Sequence, residues 1–465
     1  MNRTAYLFVI GFFFTVVGKD LFSDGMFMDG TIYAAVANNM ALGLGSFWQP
    51  HLTQTLYPVF YEHPPLAMGL QSIGFRIFGD GIYVERFYSL FTYLLTGGLI
   101  VLIWKEITGT VKQGWIPLFL WLTVGEVIWA ASNNMLENTM GVFTTAAVWF
   151  YFLKRRKNQS TWLIISGFSL ALALLTKGPF CLYIWSVPFF HWLFLRKQSS
   201  GRMIAETAIL ILSTAAPIAL LYLFSDGAQA NMEGYFAKQV VGSIESVQTV
   251  DYRFKIVVNF LKGILPQLLL GAILLWVAKR RSLSFEPVRR NAPVFWFFAA
   301  VALSGVLPIM ISMKQRAFYI LTVYPLFAVG FGYLIKPLVE TLISKIKTDS
   351  RGYQIFQGLA AILVLSGISI SVAQVGEVGR NKAAVRDSKA VIKETGRGEV
   401  IGACPQLRTD WGLQAYFARY GQVSLDTDAE ASHAYYLGLE DCPPQAENYK
   451  KLSLDTDKYL LYRKE

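Results

Sequence analysis

The chain has 465 residues, with 42 Lys and Arg against 31 Asp and Glu, and a formal net charge of +11. Apolar residues make up 54% and charged residues only 16%, against roughly 25% charged in a soluble globular chain. Mean hydropathy is +0.40. These figures exclude disorder, collagen and coiled coil, and three cysteines exclude a disulfide scaffold; what remains is a polytopic membrane protein.

A membrane-crossing helix needs roughly 20 predominantly apolar residues. Such runs fall at 4–20, 85–104, 114–131, 139–153, 161–176, 179–195, 203–224, 263–279, 293–312, 317–335 and 354–374, which predicts about 11 transmembrane helices. The first run is also short enough for a secretory h-region, but Asp20-Leu21-Phe22-Ser23-Asp24 has no small-x-small cleavage pattern, so an uncleaved span is expected. With the N-terminus inside, alternation gives the inner face 19 basic residues, including Lys154–Lys157 and Lys279–Arg281, against 5 acidic ones. That asymmetry obeys the positive-inside rule. The positive balance is thereby assigned to topology and anionic headgroups, and nucleic acid is not expected as a partner.

Three parts are not membrane helix: a first outer loop at about 19–84, a second at about 225–262, and a tail from about 376 to 465. The expected organisation is a transmembrane domain over 1–375 and a small extracytoplasmic α/β domain over 376–465. In the first loop, Ala34–Met40 and Ala67–Phe78 read as short amphipathic helices suited to the membrane interface. In the tail, Lys382–Lys393 and Trp411–Tyr420 read as helices and Glu399–Ala403 as a strand. An oxidising outer compartment permits Cys404 and Cys442 to pair, and two free thiols are the other reading.

Charged groups recur at the outer ends of the spans, where retention near lipid marks a cavity or a site. Asp29 precedes the first amphipathic helix, where a simple capping role is the competing reading. Glu62 and His63 stand before Pro64-Pro65, which stiffen the turn. A structural metal at Glu62/His63 is one possibility for that pair. Glu137 enters an otherwise apolar helix, while Lys177, Lys314 and Arg316 lie on turns of the face that holds few cations. Acids on one set of loops and cations on another suit displacement of a phosphate leaving group. A carboxylate takes the proton of the attacking hydroxyl, and fixed positive charge stabilises the departing phosphate.

The ordered series Asp29-Gly30-Thr31-Ile32-Tyr33, Glu62-His63-Pro64-Pro65-Leu66, Arg86, Glu137, Thr176-Lys177-Gly178-Pro179 and Lys314…Tyr319…Pro325 resembles the GT-C membrane glycosyltransferases. The branch concerned holds the lipid A aminoarabinose transferases and the dolichyl-phosphate-mannose protein mannosyltransferases. The resemblance covers about residues 1–335. It implies an inverting transferase in the bacterial inner membrane that takes a sugar from a polyprenyl (undecaprenyl) monophosphate donor at the outer face. The acceptor is a lipid, glycan or protein, and no cofactor is required. It further implies Asp29, Glu137 and Glu62 as catalytic carboxylates, with Asp29 the base or acceptor-orienting group, and Lys177, Lys314 and Arg316 as donor-phosphate ligands, with Arg86 either joining them or pairing with Glu85. Tyr33, His63 and Tyr319 are the substrate-binding residues on the same ground. His63 stands where the aminoarabinose branch commonly has Lys, and Glu137 where an Asp is usual. Three rival readings are a glycan ligase or polymerase using a pyrophosphate-linked donor, a membrane transporter and a structural membrane protein. Transporters tend to carry internal repeats and midplane charges, and neither is evident.

Overall fold

A computed structural model of the protein describes residues 1–242, 247–428 and 432–465. All eleven apolar runs are helical. Among the described residues, seven helices are long and apolar enough to cross a membrane: Asn2–Phe22, Val84–Thr108, Ser200–Phe224, Lys255–Arg280, Glu286–Ile311, Ala317–Ser344 and Arg351–Ala373. The pair Trp115–Leu122 and Gly125–Ser132 adds an eighth if its two arms count as one span. The other three runs fall short for physical reasons. Leu136–Lys157 carries Glu137 and Asn138 at one end and four consecutive basic residues at the other. Thr161–Lys177 and Pro179–Leu195 are short.

The chain divides into two compact units. The first comprises 1–18, 90–131 and 136–371, and the second 19–89, 132–135 and 372–465. The first unit is a helix bundle in which hydroxyl groups close the approach of neighbours. Ser166 and Ser169 on Thr161–Lys177 donate to the carbonyls of Ala147 and Phe143 on Leu136–Lys157, at 2.7 and 2.8 Å. At the basic end of that pair, Glu206 accepts from Lys154, from Arg155 at 2.9 Å and from Arg202 at 3.0 Å. One buried carboxylate thus gathers three cations and ties Leu136–Lys157 to Ser200–Phe224.

Trp115–Leu122 and Gly125–Ser132 meet at 84°. A bend breaks the helical ladder, and backbone groups in an apolar setting need other partners. Here side chains supply them. The Leu120 carbonyl accepts from Gln267 at 3.0 Å and Thr123 at 2.7 Å, that of Val127 from Tyr93 at 2.9 Å, and that of Ala130 from Asn138 at 2.7 Å.

The second unit contains a five-stranded sheet in the order β2-β1-β3-β5-β4, with β1 Val400–Ala403, β2 Ser424–Asp426, β3 Tyr435–Gly438, β4 Tyr449–Lys451 and β5 Leu460–Lys464. β1 runs parallel to β2 and β3, while β5 is antiparallel to β3 and β4. Helices Lys382–Thr395 and Trp411–Gly421 supply Val391, Leu413 and Phe417 to a core shared with Ile401, Leu425 and Leu437. Cys404 and Cys442 form a disulfide, so the pairing the sequence left open is made.

The first loop belongs to this same unit, which differs from the division at 375/376 read from the sequence. Its start pairs with the tail through an Asp24–Val378 bridge, and Tyr416 donates to the Met26 carbonyl at 2.9 Å. The Gln54 N–H donates to Ser424 Oγ at 2.9 Å and Thr55 to the Leu425 carbonyl at 2.8 Å. Buried Arg419 grips Glu85 through two hydrogen bonds of 3.0 and 2.9 Å. The two expected amphipathic helices exist as Met28–Ala41 and Leu66–Phe78, and they differ in kind. Leu66–Phe78 buries Ala67, Met68 and Phe75 and exposes Leu70, Ile73, Ile77 and Phe78, as an interfacial helix would. Met28–Ala41 is buried along most of its length, with Tyr33 to Met40 continuously covered, and so is a core element of the unit instead.

Candidate functional site

In the second unit, Asp29 lies in the first turn of Met28–Ala41 and is half-buried. Phe27, not Asp29, occupies the N-cap position, so the capping reading gives way to a carboxylate in the first turn, where the helix start presents its positive end. The turn 132–135 fixes this helix end. Asn133 Oδ1 accepts from the Phe27 N–H at 2.9 Å, and Asn134 Nδ2 donates to the Gly30 carbonyl at 3.0 Å and to Gln71 at 3.2 Å. A Cβ at Gly30 would stand 2.0 Å from the Asn133 carbonyl oxygen. Glycine beside Asp29 is therefore a steric requirement of the close approach.

One turn along the same helix, the Tyr33 hydroxyl meets His63 Nε2 at 3.1 Å, with the rings edge to face at 5.5 Å. Glu62 receives a hydrogen bond from Tyr57; burial first, and then this carboxylate, push the Tyr57 hydroxyl up from its ordinary value. Glu62 and His63 are thus each engaged with a tyrosine, and among the described residues no group of three or more His, Cys, Asp or Glu is placed to hold a metal.

Arg86, expected as a phosphate ligand, is 2% exposed, and its guanidinium donates to the main-chain carbonyls of Ser132, Ser23 (3.1 Å) and Gly25 (2.6 Å). A guanidinium that serves three carbonyls in the protein interior positions the backbone around it. It binds the turn 132–135 to the segment leading into Met28–Ala41.

In the first unit, Glu137 and Lys177 meet at 2.5 Å, with side chains 0% and 4% exposed. The Lys177 ammonium lies 5.4 Å from the Phe318 ring centre and 5.2 Å from that of Tyr319, within cation–π range. Tyr319 also packs on Phe180 at 5.5 Å. The residues expected separately as acid, phosphate ligand and substrate contact are here one assembly. Its backbone is held by Tyr235, which donates to the Lys177 carbonyl at 3.0 Å. Gly178, at φ +83°, turns the chain away under that tyrosine, where a Cβ would meet the hydroxyl oxygen at 2.1 Å.

Lys314 donates to Gln239 Oε1 at 2.6 Å, and Arg316 is exposed. Between them Gln315 is buried and does the structural work. It accepts from the Ile256 N–H at 2.8 Å and donates to the carbonyls of Arg253 and Ser312, each at 2.9 Å, while its own N–H donates to Thr249 at 2.9 Å. The second long loop thus clamps the cationic turn. Sequence reading missed Gln239, Thr249, Tyr235 and Gln315. Only Gln315 left a signal, as an uncharged polar residue between two cations.

Residues 62–224 match the family model described as dolichyl-phosphate-mannose-protein mannosyltransferase. An uncharacterized protein of Aquifex aeolicus is 27% identical over 308 residues, 64% of this chain and 57% of that one. The undecaprenyl phosphate-alpha-4-amino-4-deoxy-L-arabinose arabinosyl transferase of Edwardsiella ictaluri is 22% identical over 198 residues, 42% of this chain and 34% of that one. The chain therefore spans less than two thirds of the length of either relative. Among solved structures, ArnT from Cupriavidus metallidurans bound to undecaprenyl phosphate superposes with a TM-score of 0.69 at 15% identity, covering 98% of this chain and 97% of that one. The fold is shared over nearly the whole chain, and the resemblance to the GT-C membrane glycosyltransferases read from the motifs holds.

Proposed function

We propose that the protein is an inverting glycosyltransferase that moves a sugar from a polyprenyl monophosphate donor to a lipid, glycan or protein acceptor at the outer face of the bacterial cytoplasmic membrane. The observation that carries this reading is the fold shared along almost the full chain with a transferase solved with undecaprenyl phosphate. The curated arabinosyl transferase relative agrees with it. The topology that suits it has eleven spans, with the tail outside. The disulfide Cys404–Cys442 supports that placement, since disulfides persist in oxidising compartments.

In this reading the Asp29 carboxylate takes the proton of the acceptor hydroxyl as its oxygen attacks the anomeric carbon from the face opposite the phosphate. The bond from that carbon to the phosphate oxygen breaks, its electron pair leaves with the polyprenyl phosphate, and the configuration inverts. Lys314 and Arg316 hold the departing phosphate, as lysine and arginine suit such an anion. Glu137 sets the position of Lys177, whose ammonium has three donors and adds positive charge for the same phosphate. Tyr33, His63, Glu62 and Tyr319 shape the substrate surfaces, and Arg86 keeps Asp29 in place through the turn 132–135.

The test has two arms. Mass spectrometry of envelope glycolipids and glycoproteins, with and without the gene, should show loss of one sugar modification. In membrane vesicles, Asp29→Asn should abolish transfer with folded protein retained, and monophosphate donor should compete where pyrophosphate-linked donor does not. Wild-type turnover by Asp29→Asn would remove the proposed base.

A further inference from the structure

At the end of the first unit formed by the start of Asn2–Phe22, the end of Ala317–Ser344 and the start of Arg351–Ala373, a cavity of about 410 Å³ is walled by apolar side chains, among them Phe8, Phe119, Leu270, Ile343 and Phe356. Phe8 packs on both Phe119 and Phe356, at 5.8 and 5.5 Å, so aromatic rings set one wall. At its mouth stands Gly352, where a Cβ would meet nothing within 4 Å. Exposed cations adjoin this lining in sequence. Arg3 follows Asn2, Lys345 and Lys347 flank Ile346, and Arg351 precedes Gly352, with Asp349 the one acid from 345 to 352.

An apolar slot rimmed by cations is complementary to a lipid with a negative headgroup. We propose that this cavity binds one anionic phospholipid of the bilayer, with an acyl chain in the slot and the phosphate over Lys345, Lys347 and Arg351. The donor is not the expected occupant. Lys314 precedes the start of Ala317–Ser344, whereas the cavity is lined by the other half of that helix from Ile335 on, 18 residues or about 27 Å away at the nearest. The site thus takes a second lipid, distinct from the one carrying sugar.

The full chain, purified in detergent, would be titrated with phosphatidylglycerol and with chain-matched phosphatidylcholine. Retained one-to-one adducts would be read by native mass spectrometry and melting points by thermal shift. Each Lys or Arg near an anionic lipid surface contributes roughly five-fold in affinity. Lys347→Gln with Arg351→Gln should therefore weaken phosphatidylglycerol retention about ten-fold or more, and leave phosphatidylcholine unchanged. Gly352→Leu, whose Cβ has open space within 4 Å, puts a bulky side chain at the mouth and should abolish the adduct while the far-ultraviolet circular dichroism stays that of wild type. Equal retention of the two phospholipids, unchanged retention in the double variant, or displacement of phosphatidylglycerol by polyprenyl phosphate would each overturn the proposal. The last would assign the slot to the donor's tail.

Discussion

Replacing Glu137 by Gln should destabilise the protein more than removing the whole ion pair. Glu137 and Lys177 are almost fully covered and sit 2.5 Å apart. Loss of one partner strands an uncompensated charge, and breaking a buried pair in this way costs about 3 to 5 kcal/mol. Glu137→Gln leaves the Lys177 ammonium with only the Phe318 and Tyr319 ring faces and a neutral amide, so roughly 3 kcal/mol is expected, at the lower end of that range. Lys177→Met strands the carboxylate and should cost at least as much. The double variant removes both charges and should recover more than half of either loss, so its cost of about 1.5 kcal/mol against roughly 6 kcal/mol for the two single losses together is a coupling of about 4 to 5 kcal/mol. Reversible unfolding in mixed micelles, run as a double-mutant cycle, measures this directly. Two single losses below about 1 kcal/mol that simply add in the double variant would refute the reasoning, because they would mean that solvent reaches the pair.

Other expectations follow from the same packing. Gly30→Ala forces a Cβ against the Asn133 carbonyl, so it should displace the start of Met28–Ala41 and lower transfer at unchanged donor affinity, as read by kcat at saturating donor. Burial pushes the Asp24 carboxyl up, but Lys389, Tyr420 and the Gly25 N–H together hold it below its ordinary value of 3.8. A depressed folded value means the stabilisation is present above about pH 4 and lost as pH falls through the folded value. Melting curves from pH 6 down to pH 2 should show that acid loss in wild type and a smaller one in Asp24→Asn. Cys404→Ser with Cys442→Ser opens a loop with a sequence separation of 38, which should cost about 3 to 4 kcal/mol in chemical denaturation. Lys314→Ala with Arg316→Ala should raise the donor KM and leave acceptor KM unchanged in vesicle assays.

The helices were legible because roughly 20 apolar residues in a row have few other uses, and every run expected to be helical is helical. What periodicity and charge did not convey was partnership. Arg86 stands beside Glu85 in sequence and Lys177 beside no acid, yet the first donates to three carbonyls and the second pairs with Glu137, 40 positions away. Glu85, the acid next to Arg86, is taken by Arg419 from the far end of the chain. Long-range pairing of this kind has no local signature. The same holds for Gln315, whose amide hydrogen bonds reach Ile256 and Arg253, and for Met28–Ala41, whose pattern suits an interface although most of its residues are buried.

The sharp corner between Trp115–Leu122 and Gly125–Ser132 constrains biogenesis. The Leu120 carbonyl is capped by Gln267 and the Ala130 carbonyl by Asn138, both supplied by chain that emerges later from the ribosome. Thr123 serves the Leu120 carbonyl from inside the segment at 2.7 Å, so the corner can enter the bilayer with that atom already satisfied. Gln267 adds a second bond from Lys255–Arg280, so the corner is tied to its neighbour only after that helix has been made.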